Sequence, residues 1–136
     1  MDIAVQQAQG KAPVTVLQLT GDLDASSYKY LITMGQELHA AGVQDMLVDM
    51  GGVQYMSSSG LVALHTLALI LQGKAQGEDE SAWEAMRAIR RNLQRGVQPH
   101  LKLLSPTPRV DAVLELAGFK RIFEIYTDRD AAIASF

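Results

Sequence analysis

Apolar positions along the chain change period several times, and each change marks an element. DIAVQQAQ (2–9) alternates weakly and VTVLQL (14–19) is a β-branched apolar run; with the turn GKAP between them they predict a β-hairpin. From TGDLDASSY onward the period lengthens: Leu31, Met34 and Leu38 mark a helix that Asp24 or a following serine can cap and Gly42 stops. VQDMLVDM then supplies a short buried strand, Met46 to Asp49, before a Gly51-Gly52 turn. Leu61, Leu64, Ala68 and Leu71 share one face of the next helix. HLKLL reads as a strand ending at a proline turn, PRVDAVLELAGF as a helix stopped by Gly118, RIFEIY as a last strand, and DRDAAIASF as a terminal helix capped by Thr127 or Asp128.

Strands alternating with helices after an opening hairpin predict one α/β domain over residues 1–136, with a mixed sheet of about five strands and most helices on one face. A segment at 73–97 exceeds this plan and predicts an inserted helix. Ser81 and Glu84 form a capping box, acidic residues crowd its start, and Arg87, Arg90, Arg91 and Arg95 crowd its end before Gly96. Ala82, Met86, Ile89 and Leu93 share a face beside Trp83, which either covers the parent domain or binds another chain.

Composition narrows the function classes. A formal net charge of −3 disfavours a nucleic-acid partner, because phosphate backbones select positive surfaces. The absence of cysteine excludes disulfides, thiolate nucleophiles and cysteine-based metal sites. The start, MDIAVQQAQGK, has no basic region followed by an apolar run, and the longest apolar stretch, LVALHTLALIL, is too short to span a bilayer. A cytoplasmic protein with no membrane insertion is expected.

Candidate chemistry concentrates in VQYMSSSGLVAL, residues 53–64. Placed between a turn and a helix, Ser57 suits the N-cap, with Met56 and Leu61 as a hydrophobic staple. Ser58 and Ser59 then fall in the first turn, where the dipole and free backbone N–H groups favour an anion. Gly60 at the third helical position costs about 1 kcal/mol relative to alanine and needs a reason, such as room for another protein to approach Ser58. Plain serine capping of a helix accounts for the same residues.

Other chemistry finds little support. His39, His65 and His100 lack metal-ligand spacing, no phosphate-binding glycine motif is present, and Asp22 with Asp24 makes a poor calcium site. Ser58 and His65 would lie about 10 Å apart along one helix, too far for a nucleophile and its base. No cofactor, metal or catalytic residue is expected, and the chain does not read as an enzyme.

DMGGVQYMSSSGLVAL resembles the signature of STAS domains, the sulfate-transporter and anti-sigma-factor-antagonist family, usually Asp-Leu-x-x-Val-x-x-hydrophobic-Asp-Ser-Ser-Gly-Leu. VLQLTGDLDASSY is similar to the family's first strand and turn, and LLSPTPRVDAVLELAGFKRIFEIYTD to its closing region. The resemblance implies a bacterial anti-sigma factor antagonist. Such a protein binds an anti-sigma factor that is also a serine kinase, and phosphorylation at the position of Ser58 releases it until a phosphatase acts. By the same resemblance Asp24, Asp49, Ser57, Ser59, Gly60 and Leu61 belong to the partner surface. The family's aspartate before the phosphorylated serine is Ser57 here, which keeps a capping oxygen and removes a charge. The alternative is a STAS scaffold without the switch, in a larger signalling complex or beside a membrane transporter, with the inserted helix as a main contact.

Overall fold

A computed structural model of the chain describes residues 1–74, 87, 89, 91 and 97–136. Five strands form one mixed sheet in the order β1-β2-β3-β4-β5. β1 (Asp2–Gln9) and β2 (Pro13–Thr20) are the predicted hairpin, paired antiparallel from Asp2 opposite Thr20 to Gln9 opposite Pro13. β3 (Met46–Gly52), β4 (Leu101–Leu104) and β5 (Ile125–Tyr126) add in parallel, so spatial order follows chain order. Among the described strands the order does not reverse, so they form no switch-point crevice of the kind at which open α/β folds bind nucleotides.

Strand alternation gives the sheet two apolar faces. Leu17, Leu19, Met46, Val48, Met50, Leu101 and Leu103 point into the principal core. Three helices cover them: α1 (Tyr28–Ala40) through Leu31, α2 (Ser58–Leu71) through Leu61, Leu64, Leu67, Ala68 and Leu71, and α3 (Pro108–Leu116) through Val110 and Leu114. Val14, Val16, Leu47 and Leu104 face the other way and pack on Ala132 of α4 (Arg129–Ala134). The mixed sheet with helices mainly on one face is therefore present as expected.

The second face also buries a charge. Lys102 is 5% exposed, pairs with Glu124 at 2.8 Å, donates to the Ser135 carbonyl at 2.9 Å and its hydroxyl at 3.0 Å, and lies 4.7 Å from the Phe136 ring centre. A buried ammonium is tolerated when paired and hydrogen-bonded in this way, and these contacts fasten the segment after α4 to β4.

Two boundaries differ from expectation. Gly51 and Gly52 do turn the chain, the Val53 N–H donating to the Met50 carbonyl at 3.0 Å across them, but they also extend β3, with a one-residue register shift against β2 between Gln18 and Thr20. A Cβ on Gly52 would stand 2.7 Å from the Leu19 carbonyl oxygen, so the glycine serves close strand approach. RIFEIY is not one strand: Phe119–Arg121 forms a 3₁₀ turn, and pairing is limited to Ile125–Tyr126. Phe119, Ile122 and Phe123 are all buried at i, i+3, i+4, a helical spacing that a period-two reading overlooks.

Most of the expected inserted helix, including Ser81, Ala82, Trp83, Glu84, Met86, Arg90, Leu93 and Arg95, lies outside the described residues. Arg87, Ile89 and Arg91 are helical, with both arginines exposed and Ile89, 3% exposed, inside the principal core. At Ile89 the segment packs on the body of the molecule.

His65 on α2 is 4% exposed, and burial, aided by the charge of Lys74, pushes its pKa down to about 4 from 6.5. Between those values the unfolded chain takes up a proton that the native protein does not, so acidification through this window destabilises the fold. Urea unfolding is expected to show a loss of about 2 kcal/mol from this group between pH 7 and pH 5. That part of the pH dependence should vanish in His65→Leu; an unchanged slope would remove His65 as its source.

Candidate functional site

Above the ends of β2 and β3, two loops run side by side. Leu23 and Met56 form an isolated parallel bridge: the Leu23 N–H donates to the Tyr55 carbonyl at 2.9 Å, and the Ser57 N–H donates to the Leu23 carbonyl at 3.0 Å. Both side chains are buried, Leu23 at 0% and Met56 at 2% exposure. Their burial draws the acidic loop after β2 against the serine turn after β3.

The acidic loop is ordered by its own polar groups. Asp24 Oδ1 accepts from the Ser26 hydroxyl at 2.6 Å and the Ser26 N–H at 2.9 Å. These two bonds, the hydroxyl's first, hold the Asp24 carboxyl below its usual range. Ser27 precedes α1, but its hydroxyl donates back to the Asp22 carbonyl at 2.8 Å and makes no side-chain cap. Asp24 thus shapes the turn before α1 through local Asx geometry, and the Tyr28 N–H reaches its carbonyl at 2.9 Å.

The serine turn divides its hydroxyls. Ser57 is the N-cap of α2 as expected, and its Oγ accepts from the Ser59 N–H at 3.2 Å. Ser57 and Ser59 are half-buried, and Ser58, the first helical residue, is exposed. The first turn of α2 holds no acidic side chain. An added anion on Ser58 would meet the helix dipole without a like charge in that turn.

Gly60 has an internal explanation. A Cβ there would lie 2.5 Å from Met56 Cγ, 3.0 Å from Leu23 Cγ and 3.0 Å from the Leu23 carbonyl oxygen. Glycine is required by the bridge beneath it, so room for an approaching partner is not needed to account for it. Leu61, 6% exposed, is a core residue that anchors α2.

Asp49 stands apart from this group. It lies in register with Gln18 and with Leu104, on the sheet face that α4 covers, and its Oδ1 accepts from the Gly51 N–H at 3.0 Å. Asp24, Ser57, Ser58, Ser59, Gly60 and Leu61 are brought together by the Leu23–Met56 bridge; the Asp49 carboxylate is on the opposite side of the sheet.

Two features escaped the sequence reading. Tyr55, 46% exposed, sits between buried Val53 and Met56 and leads directly into the serines; an aromatic amid apolar residues resembles core, and only burial reveals it as surface. Thr107, the N-cap of α3, donates to the Val53 carbonyl at 3.2 Å and so ties the third crossover to the same loop. The T-P pair at 107–108 was a legible cap signal, whereas its partner 54 residues away was not.

His65 lies two turns down α2 in the core and does not approach Ser58 as a base would. Among the described residues no cluster of three metal-ligating side chains occurs, and no helix is long and apolar enough to cross a membrane.

A loop-to-helix turn with one exposed serine, set above a five-stranded mixed sheet, defines a class of protein module. The chain belongs to the STAS domain family: the family model described as "Mlab, STAS domain" matches residues 6–77, which include both loops. No curated protein sequence matches the chain. Its fold is similar to that of a candidate anti-sigma factor antagonist from Thermotoga maritima, with a TM-score of 0.70 at 15% identity over 96% of this chain and 91% of that one. An anti-sigma factor antagonist from Mycobacterium paratuberculosis gives 0.65 at 16% identity, over 98% and 93% of the two chains. Unphosphorylated SpoIIAA, also an anti-sigma factor antagonist, gives 0.63 at 18% identity, over 95% and 93%. At these identities the likeness is one of fold.

Gly60→Ala should destabilise the protein by about 1–3 kcal/mol through overpacking against Met56 and Leu23. Ser57→Ala should cost about 1 kcal/mol through loss of the cap, and Ser58→Ala less than about 0.5 kcal/mol. Urea denaturation of the three variants checks the order; a Ser58→Ala loss equal to that of Ser57→Ala would contradict the division of hydroxyls.

Proposed function

We propose that the chain, read as one STAS domain over residues 1–136, is an anti-sigma factor antagonist. It binds an anti-sigma factor with serine kinase activity and is switched off by phosphorylation of Ser58. The observation that carries this reading is the selective exposure of Ser58: of three consecutive serines it is the exposed one, between half-buried neighbours, in the first turn of a 14-residue helix. A kinase needs such an accessible oxygen. The product phosphate carries about −1.5 to −2 charges and gains from the helix dipole, so the fold tolerates it.

The same phosphate is costly inside an interface, where it must be desolvated. Exposed Tyr55, three residues before Ser58, offers the aromatic surface that interfaces favour. Asp24, Ser57, Ser59 and the backbone around Gly60 form the rest of the contact surface, with Leu61 supporting it from the core. In this reading the chain is a cytoplasmic binding module, not an enzyme. It acts on transcription through the sigma factor its partner releases, and a phosphatase acting on Ser58 resets it.

Ser57 supports a second reading. Its hydroxyl is committed to the Ser59 N–H, where the family pattern carries an aspartate, and a STAS scaffold without the switch would need the serines only as a cap. Phosphopeptide mass spectrometry on the chain recovered from its native cells separates the two, with phosphate on Ser58 expected. Calorimetric titration with the partner kinase should then show Ser58→Asp binding at least about tenfold more weakly, a loss of about 1.4 kcal/mol, at unchanged thermal stability. Equal affinity of the two proteins would sink the switch.

A further inference from the structure

Among the described residues, β1 is a sheet edge with little to protect it. Its eight residues, Asp2–Gln9, pair with β2 in unbroken register, and in the order of the described strands β1 has a neighbour on one side alone. Natural edges are blunted by short strands, bulges, proline or inward charge. The opposite edge, β5, is two residues long. β1 has no bulge and no proline, and Asp2 is its single charged residue.

The direction of its free main-chain groups follows from the ladders. The Thr15 N–H donates to the Asp45 carbonyl, so Thr15 and Leu17 turn their main-chain groups toward β3, and Val14, Val16 and Gln18 turn theirs toward β1. Their partners Ala8, Gln6 and Ala4 bond β2. Ile3, Val5, Gln7 and Gln9 therefore present N–H and C=O groups outward. Val5 is 40% exposed at the middle of this row.

We propose that this edge pairs with the β1 edge of a second copy of the chain, antiparallel about a two-fold axis at Gln6, to form one continuous sheet. This register sets Val5 opposite Gln7 and Ile3 opposite Gln9 of the second copy, and so uses every outward main-chain group of the strand. Centring the axis on Val5 or Gln7 leaves part of the row unpaired. The charges select the same occupant: Asp2 comes to lie opposite Gly10 of the second copy, beside its exposed Lys11, and the axis produces this acid–base pair twice. At the axis Gln6, whose oxygen accepts from Arg129 at 2.8 Å, keeps its amide N–H groups for Gln6 of the second copy. Arg129 is flanked by exposed Asp128 and Asp130, which offset the approach of two arginines.

Sedimentation velocity of the full chain over a range of concentrations tests the pairing, with a reversible dimer expected. Val5→Pro removes an outward N–H and leaves the bonds to β2 in place, so it should weaken dimerisation at least tenfold while circular dichroism is unchanged. Asp2→Lys and Lys11→Asp should each weaken self-association, and an equimolar mixture of these two variants should recover it, because each supplies the charge the other lacks. A chain that stays monomeric throughout, a dimer indifferent to Val5→Pro, or a mixture no more associated than its components would overturn the proposal. The charge mixture decides the matter even if the proline variant fails to fold.

Discussion

Two main-chain hydrogen bonds, from the Leu23 N–H to Tyr55 and from the Ser57 N–H to Leu23, hold the loops after β2 and β3 together beyond the end of the sheet. Much of the local chemistry follows from that contact. With Leu23 and Met56 buried beneath it, the third residue of α2 has no space for a side chain, and Gly60 is the consequence. The helix starts at a fixed height over the bridge, which commits Ser57 to the cap, turns Ser58 outward and seats Leu61 in the core. A residue that weakens the helix by local propensity therefore belongs to the arrangement that positions it.

The two faces of the sheet divide the remaining tasks. The larger core under α1, α2 and α3 takes most of the buried apolar side chains, including Ile89. The smaller one is closed by α4 and pinned by Lys102, whose buried ammonium finds a carboxylate, a carbonyl, a hydroxyl and an aromatic ring. Strand alternation assigns neighbours to opposite faces, so Met50 supports the serine side and Asp49 the other. An aspartate adjacent in sequence to the site thus lies across the sheet from it.

The switch proposed at Ser58 and the pairing proposed at β1 draw on different physics. At Ser58 a covalent charge would sit comfortably in the free protein because of the helix start, and the cost would fall on the complex. At β1 the driving force is unsatisfied main chain along a row of uncharged residues. One is a matter of electrostatics within a loop pair, the other of backbone geometry along an edge, and neither uses the other's residues.

How far the sequence reaches depends on whether a signal is local. The hairpin, the helix over Leu61, Leu64, Ala68 and Leu71, the caps at Ser57 and Asp128 and the stop at Gly118 were all legible, because period, hydroxyl or carboxylate caps and glycine act within a few residues. The family signature lies in the same contiguous stretch, for the same reason. Gly51-Gly52 was legible in part: the turn across it is local, whereas the close approach to the carbonyl of Leu19 that keeps Gly52 in the strand involves a residue distant in sequence. Likewise, the exposure of Tyr55 and the sheet face on which Asp49 lies become visible only once burial and strand register are known. What the chain alone determined was most of the elements and the caps and stops that act within a few residues; which residues meet, which face them and which stay in water was decided by long-range pairing, because those contacts exist only once the strands have taken their order.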